Sequence, residues 1–280
     1  MSVDSFGGVA PPASLYDFKR QITDGIDGVD KVRDDDILRF QELGFLLIRN
    51  AISQSDIVAA RAGLRDLILR RDTDNIMIES AAAEGFHELG DEERMNSVRK
   101  LMLIVQYDRR LRAIAEDPGL LSVLKRIIGE TPVLTQDMAM IKPPRIGREK
   151  PWHQDLAYFN YPKDSTIVGA WIALDEAVPE NGCMMIIPGT HREGPVVHWT
   201  RRDWQICDSD VQVDRCAAVP MQRGDCLLFH CLLHHGSPPS RSEKTRWAMQ
   251  FHYAPACVAP YADSENRLRT FGAEGKDVTC

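Results

Sequence analysis

Two rhythms of apolar and polar positions divide the chain. In the first half, apolar residues recur at helical steps. Ile57, Ala60, Leu64, Leu67 and Ile68 form one stripe, opened by the polar cluster Ser53-Gln54-Ser55-Asp56, and predict an amphipathic helix to about Arg71. An acidic run and a closing Gly44 predict a short helix over Asp34–Leu43, followed by a strand over Phe45–Ile48. Two more helices are predicted around Arg109–Glu116 and Pro118–Ile128, the second closed by Gly129. From Val133 onward short apolar runs alternate with turn signals. They predict strands over Val133–Lys142, Trp152–Leu156, Ile167–Asp175, Met184–Ile187, Ala217–Met221, Cys226–Phe229 and Arg246–Tyr253. Helices in front and strands behind predict a mainly β fold with a helical buttress, a jelly roll.

Three stretches carry no such rhythm. Residues 1–30 are rich in Gly, Pro, Ser and Asp and read as a flexible, loosely tethered arm over the barrel, leaving 31–280 as a single domain. Arg71–Ser97 and Trp199–Asp214 are polar and irregular; both are expected to be mobile covers over a site.

Composition narrows the partners. The 34 basic and 41 acidic residues leave a net charge of −7 with no basic domain, which argues against nucleic acid. The local basic spots Lys142, Arg145, Arg148 and Lys150, and Arg201-Arg202, read as solvated loop charge. No apolar run reaches membrane-spanning length, and residues 1–15 lack the charged start and apolar core of a secretory signal. The seven cysteines are odd in number and lack a Cys-x-x-Cys pair, so they read as reduced thiols. The expected setting is cytoplasmic, the expected partner a small molecule.

Candidate chemistry centres on His153-Gln154-Asp155. In an extended strand, residues i and i+2 share a face, so His153 and Asp155 project together and Gln154 points away. Two histidines and a carboxylate on one face of an octahedral metal leave three positions open, the arrangement of non-haem Fe(II) oxygenases. A bare His-x-Asp arises by chance in long chains. Downstream, His230, His234 and His235 are all available as third ligand, and alternation lets only one of His234 and His235 face the metal. In the run from Arg246, alternation puts Arg246, Ala248 and Gln250 on one face, with Trp247, Met249 and Phe251 on the other, against helices.

The order and spacing of His153-Gln154-Asp155, Asn181-Gly182-Cys183, Pro188-Gly189-Thr190-His191, His235-Gly236-Ser237 and Arg246 resemble the phytanoyl-CoA dioxygenase family. The opening Phe40-Gln41-Glu42-Leu43-Gly44-Phe45 looks like that family's N-terminal element, and the likeness runs from about Asp34 to about Tyr253. It implies a double-stranded β-helix of the cupin-like kind, and a dioxygenase using Fe(II), 2-oxoglutarate and O2. The family's distal histidine directly precedes a Gly-Ser pair, which selects His235. His230 is then expected close behind the ligands, and His234 to face outward. The resemblance implies that Arg246 grips the distal carboxylate of 2-oxoglutarate, a role that suits a planar guanidinium fork. By the same likeness Ser237, Trp171 and Met138 line that pocket. Related halogenases lack the carboxylate that Asp155 supplies, so oxygenation is expected. Hydroxylation leads, while desaturation, epoxidation or ring formation on the same scaffold, and a catalytically silent ligand-binding jelly roll, stay open. Tyr158, Tyr161, Trp199 and Trp204, with Gln154 and Arg192 as polar groups, are the candidates for shaping the substrate pocket, and His191 for reaching its rim.

Overall fold

The computed structural model describes residues 2–3, 10–70, 75–79 and 85–280. Its centre is the strand Arg246–Pro255, every residue of which is buried. On one side it pairs antiparallel with Pro132–Lys142, on the other with Val168–Ala173. Alternation sorts its side chains as predicted. Trp247, Met249, Phe251 and Tyr253 join a core with the helices Gln54–Leu69, Arg109–Ala115 and Pro118–Ile128. Ala248 faces the other way, into a second core with Trp171, Ala173, Leu227 and Phe229. Fully burying a Met or Phe side chain contributes roughly 1.5–3 kcal/mol, so Met249 and Phe251 anchor the strand against the helices.

Among the described residues the larger sheet has nine strands, in the order Ser2–Val3, Ile76–Ile78, Val98–Met102, Pro132–Lys142, Arg246–Pro255, Val168–Ala173, Cys226–His230, Phe45–Arg49, Ile26–Asp27. The smaller has five, Arg20–Gln21, Ala217–Val219, Met184–Ile187, His234–Ser237 and Lys150–His153. The two sheets close face to face on the second core, a jelly roll of the double-stranded β-helix kind. Helices cover the outer face of the larger sheet. Residues 13–27 add a parallel strand to each sheet, and Leu15 and Tyr16 are buried in the inter-sheet core.

Helix boundaries follow their local signals. Ser53 accepts a hydrogen bond from the Asp56 amide and caps Gln54–Leu69. Gly44 ends Asp34–Leu43 at φ 80°, a left-handed turn that suits glycine.

Four expectations change. The predicted strand over 152–156 is shorter, because Lys150–His153 gives way to a tight turn over Asp155–Tyr158. Within Arg71–Ser97, residues 71–74 and 80–84 lie outside the described set. The rest holds the strand Ile76–Ile78 and the helix Asp91–Met95, so it is not irregular. Trp199–Asp214 takes part in the antiparallel pair His198–Thr200 and Trp204–Ile206, fastened by the buried pair Arg202–Glu149 and the part-buried pair Lys150–Asp203. Arg202 and Lys142, read as solvated, are only 5% and 4% exposed. The C-terminal helix Glu265–Phe271 was not anticipated. Among the described residues, no helix is long and apolar enough to cross a membrane. All seven cysteines are free.

Candidate active site

Strand pairing brings the first two donors together. Lys150–His153 lies antiparallel to His234–Ser237, with His153 directly opposite His235, and their rings stand 4.1 Å apart. A register shift follows between His235 and Ser237. Asp155 opens the turn after the strand. Gln154 keeps extended angles, φ −110° and ψ 129°, so the alternation survives one residue past the strand's end. The Asp155 side chain therefore returns to the side of His153. Its Oδ1 lies 3.1 Å from His153 Nε2 and 3.5 Å from His235 Nε2. Metal–ligand bonds of about 2.0–2.1 Å put adjacent donors of one ion roughly 3 Å apart, so these atoms fit a single ion.

Hydrogen bonds set the state of each donor. His153 Nδ1 lies 2.8 Å from the Pro151 carbonyl, and His235 Nδ1 lies 2.9 Å from the Leu233 carbonyl. A carbonyl only accepts, so each Nδ1 carries the proton and each Nε2 keeps its lone pair for a metal. Burial, then the neighbouring His235, pushes the His153 imidazole down to about 3, which holds it neutral. Burial pushes Asp155 upward, but the neighbouring His235 and His252 and the bond to His153 outweigh it and hold it well below the usual carboxylate range.

The expected neighbour of the ligands, His230, is elsewhere. Its ring stands 5.3 Å from that of His191, tilted by 44°, and its Nδ1 accepts from the Leu232 amide. His191 bonds the Gln41 carbonyl and does not reach the cavity. His234 does turn away from the ligands but is buried, 2% exposed. The groups behind Asp155 are instead Gln250 and His252, whose Nε2 atoms lie 3.2 and 2.8 Å from its Oδ2. Alternation from Arg246 could have found both, since Arg246, Gln250 and His252 share a face.

The donors line a cavity of about 590 Å3, counting its open mouth, together with Lys100, Met138, Met140, Tyr158, Trp171 and Ser237. Arg246 lines it too and is 2% exposed. Its Nη1 donates to the Met140 carbonyl at 3.0 Å, its guanidinium lies over the Trp171 ring at 5.2 Å, and its Nε has no partner. Burial lowers it to about 10, so it stays charged at neutral pH. Among the described residues it makes no ion pair. An unpaired buried guanidinium beside an open space is built for an anion. Lys142, its partner across the strands, donates to the Arg148 carbonyl at 2.5 Å and the Pro238 carbonyl at 2.7 Å. Lys100 also faces the cavity, its ammonium pushed down to about 8 by burial and then by Lys150.

Of the six residues proposed for the substrate, only Tyr158 lines this cavity. Gln154 is 0% exposed, and its amide is spent on the Gly194 and Leu232 carbonyls and the Val196 amide. Arg192 is exposed on the surface. Trp204 donates to the Ala157 carbonyl inside a third core, against which Tyr161 packs. Trp199 lies on the hairpin strand His198–Thr200. Side-chain chemistry alone could not say which of these would be consumed by backbone partners.

The jelly roll, the three-donor face and the buried arginine in the same cavity define a non-haem iron dioxygenase of the 2-oxoglutarate-dependent class. Residues 40–248 match the family described as phytanoyl-CoA dioxygenase, and the chain belongs to that family. It is 30% identical over 269 residues to a probable phytanoyl-CoA dioxygenase of Caenorhabditis elegans, covering 88% of this chain and 85% of that one. It is 30% identical over 248 residues to the peroxisomal phytanoyl-CoA dioxygenase of Mus musculus, covering 82% and 71%. Two solved structures share the fold at 20% identity. The non-haem alpha-ketoglutarate-dependent carbocyclase SnoK of nogalamycin biosynthesis superposes with a TM-score of 0.68, covering 90% of this chain and 98% of that one. EctD of S. alaskensis, solved with 2-oxoglutarate and 5-hydroxyectoine, gives 0.67, covering 96% and 92%.

Proposed function

We propose that the protein is a hydroxylase. It inserts one oxygen atom of O2 into an aliphatic C–H bond of a small organic substrate, while 2-oxoglutarate takes the other and leaves as succinate and CO2. The observation that carries this reading is Arg246: a buried, unpaired guanidinium in the same cavity as the His153–Asp155–His235 face. His153, Asp155 and His235 hold Fe(II), which when bound activates O2 in concert with 2-oxoglutarate. Arg246 binds the distal carboxylate of 2-oxoglutarate through the guanidinium donors that the Met140 carbonyl leaves free, with the Ser237 hydroxyl beside it. Trp171 and Met138 form the apolar wall that orients the cosubstrate chain and keeps water out. Lys100 adds a second positive charge for the dianion. Tyr158, whose ring stands 5.5 Å from that of His153, borders the substrate. Asp155 fills the position that must be empty for halide, which supports oxygenation over halogenation. In this reading residues 31–280 are one catalytic domain with 1–30 as its arm, and the seven free cysteines suit a reducing, cytoplasmic setting.

A panel of small-molecule substrates with 2-oxoglutarate and Fe(II), read by succinate release and a product mass gain of one oxygen, tests this. His235→Ala should abolish turnover and bound iron, whereas His230→Ala and His234→Ala should retain both. A protein that neither binds 2-oxoglutarate nor forms succinate sinks the proposal. A product two hydrogens lighter, with no oxygen added, replaces hydroxylation by desaturation.

A further inference from the structure

The two oxygens of Asp155 have different surroundings. Oδ1 faces the imidazole nitrogens of His153 and His235. Oδ2 faces away from them, 2.8 Å from His252 Nε2 and 3.2 Å from Gln250 Nε2. His252 is 1% exposed; its Nδ1 has no partner, so its Nε2, 2.8 Å from Oδ2 and 3.0 Å from Gln250 Nε2, is the engaged nitrogen of the ring. Phe159 packs against the ring in a T-shaped contact at 4.9 Å. Both groups stand on the central strand Arg246–Pro255 and line the same cavity as Asp155.

Coordination arithmetic gives this asymmetry a consequence. A six-coordinate metal with three one-atom protein ligands keeps three positions, two for a chelating 2-oxo acid and one for O2. A carboxylate that binds through both oxygens takes one of the three. We propose that His252, supported by Gln250, is a positioning residue that captures Oδ2 and holds Asp155 as a one-oxygen ligand, so that the third open position survives cosubstrate binding. The inference rests on the metal reading above and extends it to two further residues of the cavity wall.

The test compares His252→Gln, whose amide can reach Oδ2, with the shorter His252→Asn and the apolar His252→Leu. Apoprotein is loaded with Co(II), whose visible absorption reports coordination number without turnover. Wild type and His252→Gln should share one spectrum. His252→Leu and His252→Asn should show one more protein donor, and their substrate turnover should fall roughly 10–100-fold, the usual cost of losing a partner behind a metal ligand. Gln250→Leu should shift the spectrum in the same direction by less. If His252→Leu fails to fold, as judged by circular dichroism, the Gln and Asn pair decides alone. Identical Co(II) spectra across the series overturn the positioning role while leaving the metal site intact. Failure of the wild-type protein to bind Co(II) or Fe(II) overturns the metal reading itself.

Discussion

Arg246 and Arg202 are the same residue type at nearly the same depth, 2% and 5% exposed, yet their surroundings are opposite. Arg202 is saturated. Its Nε donates to Glu149, and its two terminal nitrogens donate to the two oxygens of Asp208, each at 2.7 Å. Glu149 also accepts the Tyr16 hydroxyl, so the network clamps the hairpin and residues 13–16 to the start of the strand that ends in His153. Arg246 has one carbonyl partner, an unpaired Nε and a cavity in front of it. A buried charge whose donors are all matched belongs to the scaffold. One left unmatched beside open space waits for a ligand, because its desolvation is compensated only when the ligand arrives.

Substitution should separate the two roles. Arg202→Ala strands Glu149 and Asp208 and should cost about 3–5 kcal/mol of stability, read from the denaturant midpoint, with little change in the KM for 2-oxoglutarate. A large KM shift with unchanged stability would reverse the assignment. Ligand should stabilise one network and not need the other. In the wild-type protein with Fe(II) under anaerobic conditions, 2-oxoglutarate at a hundred times its Kd should add about 2.7 kcal/mol, and Arg246→Ala at that concentration should gain far less. Arg246→Ala should raise the KM for 2-oxoglutarate roughly ten- to a hundredfold, from the ~1.5–3 kcal/mol of a charge-assisted hydrogen bond, without lowering thermal stability. Loss of stability with unchanged KM would make Arg246 a second scaffold charge.

The smallest effect concerns Lys100. Its ammonium, pushed down to about 8, is protonated at pH 7 and largely neutral at pH 9. Attraction for the dianion weakens as pH rises through that value, so the KM for 2-oxoglutarate should climb several-fold between these pH values. Lys100→Met should start high and show no step centred near 8. An identical step in that variant would assign the titration to another group.

Much of the helical half was legible because its signals are local. The polar cluster at Ser53 and the glycines at 44 and 129 act through neighbours four residues away or fewer. The ligand pair was legible because Gln154 stays extended, although the strand itself stops one residue before it. The hairpin of His198–Thr200 and Trp204–Ile206 and the strand Val98–Met102 escaped notice, since polar residues break up their apolar runs and each is stabilised by a partner strand. The substrate set fared worst. Gln154 and Trp204 have chemistry suited to a pocket, but distant carbonyls claim their polar groups.

By itself the sequence determined the fold class, the alternation that aims Arg246 inward and the spacing that pairs His153 with Asp155, all of which depend on residues close along the chain. Its likeness to a known family selected His235. Only the tertiary structure decided that His252 and Gln250 stand behind Asp155, that Arg202 is clamped while Arg246 is free, and that Tyr158 alone among the proposed substrate residues meets the cavity. Each of those outcomes turns on which groups, 40 or more residues apart, come within hydrogen-bond reach. Burial and sheet register settle that competition, and no local pattern encodes it.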